Sequence, residues 1–288
     1  MIAQHFTDTI ADAALLYLLA AACQYARHGR HLDLSLAGAA LFAPFVTWLV
    51  TIQFGAPPIP AVLCGLSASI AMGMAADFTA FRYLRRCRVG KWQITIASLG
   101  VYIVFENLVA CLFGTDTKSL SSGPVGSLHR LGGAYYSNAQ LLLVLQALTV
   151  LVSTHLFVMR TRAGRIMSVI SADEQLCRIV GVRTENVRML SLVCGIAIAS
   201  IAFTTKGFDT AIVPTMGFDL VLNGIIVTLI GSSFGSWGIP LSASLLAVAR
   251  RAASITFGGE WIATVGFVVV LAFLLLKPAS LATSPANR

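Results

Sequence analysis

Trp92-Gln93-Ile94-Thr95-Ile96-Ala97-Ser98-Leu99-Gly100-Val101-Tyr102-Ile103-Val104-Phe105-Glu106-Asn107-Leu108-Val109-Ala110-Cys111-Leu112-Phe113 carries one charged side chain, Glu106, in a run long enough to cross a bilayer. A helical span needs about 20 largely apolar residues. Lipid offers no hydrogen bonds, so the backbone of such a run must satisfy itself, and that selects helix. Runs of the same kind recur near 10–26, 32–53, 58–78, 139–159, 187–205, 217–231, 239–255 and 261–276. The whole chain agrees with this reading: 57% of its 288 residues are hydrophobic, 11% are charged, and the mean hydropathy is +0.83. Soluble domains hold about 45–50% apolar and about 25% charged residues. The sequence therefore predicts an all-α polytopic bundle of eight or nine spans, with 1–288 as one transmembrane domain. The count turns on 32–53, where Asp33 and the central Pro44 also suit a broken or re-entrant segment.

Charge placement sets the expected orientation. If 160–188 is cytoplasmic and the spans alternate, fifteen of the twenty Lys and Arg residues fall on the cytoplasmic side. The positive-inside bias then puts the N-terminus out and the C-terminus in. The same bookkeeping explains the net charge of +8 without nucleic acid, because the basic residues sit in short connectors. Asp77 lies close to the Arg82–Arg88 cluster and is expected to pair with it. The six cysteines show neither metal-ligand spacing nor a disulfide framework. No set of His and carboxylates with metal-ligand spacing, no Walker-type loop and no Gly-x-Ser-x-Gly elbow is present. The chain reads as a non-enzyme that binds no cofactor of its own, with any work on ATP done by a partner.

The connector at 160–188 is a polar island with a built helix inside it. Ser171 followed by Glu174 forms a capping box, Asp173 and Glu174 suit the positive end of the helix dipole, and Gly181 is a stop. Leu176, Ile179 and Val180 share one face. A helix this short is marginal alone in water, so its apolar face calls for a docking partner. At the outer surface, 114–138 is a long, turn-rich loop.

Two places break the apolar pattern. Glu106-Asn107 sits two thirds of the way along its run, where an ionisable group faces either the bundle interior or a water-filled path. It reads as a path residue or as a hydrogen bond between helices. Between 217 and 244, Asn223-Gly224, Gly231 and the Ser/Gly-rich stretch to Pro240 interrupt the helix. Such backbone lines a cavity, or its small residues permit close helix packing.

Together, several segments resemble the permease of a branched-chain amino acid type ABC importer, of the LivH kind. They are Ile96-Ala97-Ser98-Leu99-Gly100 running to Phe113-Gly114-Thr115-Asp116, Gly164-Arg165 through Asp173 to Val180-Gly181-Val182, and Pro214-Thr215-Met216-Gly217-Phe218 with Leu229-Ile230-Gly231 and Gly235-Ser236. The likeness covers most of residues 10–276. It departs from the family at Glu106, where an uncharged amide is usual, and at Gly231-Ser232, where two glycines are expected; Leu32-Asp33-Leu34-Ser35 is closer to sugar-type relatives. The resemblance implies a permease subunit of the bacterial inner (plasma) membrane that moves a small amino-acid-like solute. It also implies a second homologous permease subunit (LivM-like, or a second copy), two cytoplasmic ATPases that use the ATP, and a periplasmic solute-binding protein. Arg165, Asp173, Glu174, Leu176, Ile179, Val180 and Gly181 would couple to the ATPases; Glu106, Asn107, Asn223, Gly224 and Gly231 would line the substrate path. The competing reading is a proton-coupled secondary transporter with Glu106 as carrier.

The topology is testable in a background in which the six native cysteines are replaced. A membrane-impermeant thiol reagent applied to intact cells should label Ser122→Cys and not Ser168→Cys; the opposite pattern would invert the orientation.

Overall fold

The computed structural model describes residues 2–26, 33–87, 89–120, 129–131, 134–161, 164, 166, 184–235, 237–259 and 261–276. Each of the nine apolar runs coincides with helix, the second from Ser35 onward. In chain order the elements are α1 (Ile2–Ala26), α2 (Ser35–Trp48), α3 (Pro58–Ala76), α4 (Arg82–Arg86), α5 (Lys91–Phe113), β1 (His129–Leu131), β2 (Ala134–Tyr136) and α6 (Asn138–Arg160). They continue with α7 (Thr184–Asp209), α8 (Met216–Gly231), α9 (Gly238–Phe257) and α10 (Trp261–Leu276). Among the described residues, 7 helices are long and apolar enough to cross a membrane. The other two runs are α9, which carries Arg250 and Arg251, and α10, whose apolar core is Thr264–Phe273. The coupling residues Arg165, Asp173, Glu174, Leu176, Ile179, Val180 and Gly181 lie outside the described residues.

Two helices form the interior. α1 packs against α6, α7, α8 and α9, and α2 packs against α3, α5, α7 and α8. Their sequences explain the position: Ala20, Ala21 and Ala22 in α1 and Ala37, Gly38, Ala39 and Ala40 in α2 let neighbouring backbones come close. At Gly38 a Cβ would stand 2.8 Å from Phe105 Cβ of α5, and at Gly224 one would stand 2.8 Å from the Leu19 backbone of α1. Hydroxyls add polar links where they reach a neighbour's carbonyl: Thr228 donates to Ala20 (3.1 Å) and Ser242 to Val227 (3.0 Å).

The second run, open between spanning and re-entrant, is helix from Ser35 to its end. From Ser35 to Trp48 it is α-helical, and a π-helical turn carries it on through Leu49–Gln53, giving 19 residues long and apolar enough to cross. Pro44 is accommodated inside this helix and buried. A proline removes one ladder hydrogen bond, and here tight surroundings, including α7 at Gly207, hold the helix around it.

At the periphery the usual inside-outside rule is reversed. Leu141, Leu145, Leu148, Val152 and Leu156 of α6 and Trp92, Ile96, Ile103, Val104 and Leu112 of α5 point outward. In water these stripes would be a liability, and in hydrocarbon they are the solvated face.

Polar segments gather at the two ends of the bundle. At one end β1 and β2 pair antiparallel, with Arg130 opposite Tyr135, and Gln4 of α1 grips Tyr135 through both its backbone N–H (2.8 Å) and its carbonyl (2.9 Å). The turn-rich 114–138 loop thus contains a hairpin. Lys118 and Ile212 exchange two backbone bonds (3.0 and 2.8 Å) at the same end. At the other end Arg85 holds Asp77 in a bidentate pair (2.7 and 3.0 Å), and Glu185 at the start of α7 lies 3.9 Å from Arg85. The expected pairing of Asp77 with the arginine cluster is therefore present.

Close approach gives a direct prediction. A Cβ at Gly65 would run into the Ala43 carbonyl oxygen, whereas a Cβ at Gly100 meets nothing within 4 Å. Gly65→Ala should cost roughly 1–3 kcal/mol, as overpacking does, and lower the melting temperature in detergent. Gly100→Ala should stay within roughly 0.5 kcal/mol of the parent. Equal melting temperatures for the two variants would refute the packing argument.

Candidate functional site

Helix α5 brings Tyr102 and Glu106 one turn apart on one face, and α8 meets that face with its first turn. The Tyr102 ring lies 5.8 Å from the Phe218 ring, and a Cβ on Gly217 would stand 3.6 Å from Tyr102. Asp219 follows Phe218 and is exposed, and Asn223 lies a turn further on, its amide donating to the Asp219 carbonyl (2.7 Å). α10 approaches from the other side, where a Cβ on Gly266 would be 3.6 Å from Asn223 Oδ1. The Tyr102 hydroxyl is buried; its charged neighbours are Glu106 and Asp219, and it makes no hydrogen bond within ordinary distance and angle limits among the described residues. A polar strip of Glu106, Asp219, Asn223 and the Tyr102 hydroxyl thus runs where α5 meets α8, in the half of the span nearer the hairpin.

The residues singled out from the sequence separate into two groups. Glu106 and Asn223 lie on this strip. Asn107 is exposed on the outward side of α5, its amide donating to its own helix at Ile103 (2.8 Å). Gly224 and Gly231 are buried at helix contacts. Gly224 faces Leu19 of α1; at Gly231 a Cβ would be 2.7 Å from both Ile239 Cα and Ser242 Oγ of α9. Both glycines sit at close helix contacts. The Ser/Gly-rich stretch after them makes a 3₁₀ turn at Ser232–Phe234, with Gly235 at φ 76°, and delivers α9 against α8. Asp219 and Tyr102 were not evident from the sequence: Asp219 is the acidic residue of a helix's first turn, and nothing local ties it to α5.

A second polar cluster closes the hairpin end. Asp8 of α1 pairs with Arg251 of α9 (2.9 Å), Lys206 of α7 pairs with Asp209 (3.3 Å), and Gln140 of α6 donates to Asp8 (3.5 Å). With Asp12 they line a cavity of about 170 Å³. Positive and negative groups compensate one another; these bonds tie α1 to α9 and to α6, and the Lys206–Asp209 pair of α7 lines the same cavity. Among the described residues, no three His, Cys, Asp or Glu side chains converge as a metal site.

A family model described as the permease component of the branched-chain amino acid transport system matches residues 6–276. The chain belongs to that family. Its permease is of the LivH type, and with several helices able to span a membrane it is a multi-pass membrane protein. The high-affinity branched-chain amino acid transport system permease protein BraD of Pseudomonas aeruginosa is 24% identical over 255 residues, covering 85% of this chain and 82% of BraD. LivH of Escherichia coli K12, a permease protein with the same description, is 23% identical over 221 residues, covering 75% of this chain and 71% of the relative. The fructose import permease protein FrcC of Rhizobium meliloti is 25% identical over 214 residues, covering 72% of this chain and 58% of FrcC.

The charge cluster yields a double-mutant test. Arg251→Met removes the cation paired with Asp8, leaving it only the Gln4 and Gln140 amides, and should lower stability by roughly 1–3 kcal/mol, the range for losing a charged hydrogen bond. Asp8→Asn in the same chain should recover part of that loss. Additive effects in the thermal-unfolding cycle would show that the pair is not coupled.

Proposed function

We propose that the chain is the transmembrane permease subunit of an ABC importer of the bacterial inner (plasma) membrane, moving a small amino-acid-like solute. The family match from residue 6 to 276 supports this reading most strongly. ATP would be hydrolysed by two cytoplasmic ATPase subunits, solute delivered by a periplasmic binding protein, and a second permease subunit, LivM-like or another copy, would complete the pathway.

The path would follow the polar strip of Glu106, Asp219 and Asn223, with Asn107 beside it. On insertion scales an acidic group at the centre of a span costs about 2.5–3.5 kcal/mol, so two carboxylates on the bundle surface favour a position facing protein or water over one facing lipid. Covering the strip with the second permease subunit would turn it into the wall of a conduit between the two. Gly224 and Gly231 would serve it indirectly, by seating α8 against α1 and α9 so that Asp219 and Asn223 are held in register.

Drive would enter at the connector. The short helix that the sequence predicts from Ser171, with Asp173 and Glu174 at its start and Gly181 as its stop, would present Leu176, Ile179 and Val180 for docking. Arg165 precedes it in the same connector. Closure of the ATPase pair would push on this segment. The difference in contact between open and closed ATPases is what can shift the permease between outward-open and inward-open states.

The test is Leu176→Asp with Ile179→Asp, which puts two charges on the docking face, where a buried unpaired charge costs several kcal/mol. Co-purification of the ATPases and ATP-dependent uptake should both fall while the chain still inserts in the membrane. Undiminished uptake that collapses with a proton ionophore would instead identify a proton-coupled carrier.

A further inference from the structure

The strip contains two acidic side chains and, within the described residues, no cation pairs with either. Among the described side chains, the basic groups that share its half of the bundle are engaged elsewhere: Lys206 with Asp209, Arg251 with Asp8, Arg250 with its nearest charge Asp12, and Lys118 over the Trp48 ring at 4.3 Å. The third polar group is the Tyr102 hydroxyl, whose residue is 3% exposed and which, among the described residues, makes no hydrogen bond within ordinary distance and angle limits, with the Glu106 carboxylate and the Phe218 backbone near it. A buried hydroxyl so placed beside two carboxylates carries a desolvation cost that a ligand can relieve. Phe218 and Tyr102 supply ring surface at the same place. Acidic groups, a buried hydroxyl and aromatic faces without a local cation make a receptor for positive charge.

Resting on the reading of this strip as the solute path, we propose that the solute is a small organic cation, one bearing an ammonium or amidinium group in excess over any carboxylate. A neutral zwitterion such as leucine offers one ammonium to the strip, and its carboxylate is repelled by the same two side chains. A lysine-like solute offers a second positive group, so the discrimination comes from repulsion as well as attraction. Glu106 and Asp219 would meet the cationic group, the Tyr102 hydroxyl would orient one of its neighbours, and Asn223 would accept or donate a hydrogen bond a turn deeper along α8.

The experiment compares uptake of labelled L-lysine, L-leucine and L-glutamate by proteoliposomes holding the whole transporter, isolated with its ATPases and binding protein and loaded with ATP. Lysine should be taken up at least tenfold faster than leucine, and glutamate least. Glu106→Gln with Asp219→Asn should shrink the lysine-to-leucine ratio tenfold or more. Glu106→Asp should keep the preference. Leucine or glutamate carried as well as lysine by the unmodified transporter overturns the inference whether or not the variants fold. An unchanged ratio in the double variant overturns it too, and if the second permease is also lost from that complex, the carboxylates belong to a subunit contact. Asn223→Leu separates the two readings. If leucine is the preferred solute and Asn223→Leu or Glu106→Gln abolishes its uptake, the path stands and the charge preference falls. If neither substitution alters uptake of any of the three, the path itself falls.

Discussion

Everything in this bundle depends on how closely helices can approach one another in a solvent as apolar as their own side chains. Lipid gives no hydrophobic reward for bringing two leucine-rich helices together, so association rests on dispersion contacts and on hydrogen bonds between backbones near enough to use them. The alanines of α1 and α2 and the glycines at 38, 65 and 224 provide that nearness. Once backbones touch, hydroxyls such as Thr228 and Ser242 can reach a carbonyl on the next helix instead of only their own. The same geometry sets where polar residues end up. With α8 fixed against α1 at Gly224, Asn223 one residue earlier is turned away from α1, and Asp219 a turn before that is carried to the surface beside α5.

What the sequence reveals follows from how local each signal is. Hydropathy is a property of a window, so all nine apolar runs are legible and all nine are helix. Asp77 and Arg85 lie within a few turns of one helical stretch, so their pairing is legible too. The hairpin at 129–136 is not, because strands of 3 residues have no room for an alternating pattern. Pro44 suggests a break that tertiary packing overrides. The glycines at 224 and 231 could mean cavity or contact, and only the positions of Leu19 and Ile239, on other helices, decide between them. Asp219 is hidden for the same reason: the side chain that gives it meaning belongs to α5.

Glu106 shows how a departure from a family pattern and a structural observation can converge. By itself an acidic residue in place of an amide says only that the environment differs. Next to Asp219 and the buried Tyr102 hydroxyl it becomes part of a group with a definite electrostatic sign. The hairpin end offers the contrast, since Asp8, Asp12 and Asp209 sit among Lys206, Arg250 and Arg251. Compensated charge joins helices, and the two carboxylates of the strip, which no cation meets among the described residues, are open to a cation from outside.

The central place of α1 has a consequence for biogenesis. Its partners α6, α7, α8 and α9 are all made after it on the ribosome, so the helix that ends in the middle of the bundle must wait in the membrane for most of the chain. During that interval Asp8 has no Arg251 and the small-residue face around Ala20 has no α8 to close on it. Contacts of such long sequence separation form late and slowly. The nascent protein therefore passes through a stage in which a bare acidic group and a sticky alanine face depend on the insertion machinery, or on neighbouring lipid headgroups, for shelter, and the last spans act as the closing step of assembly.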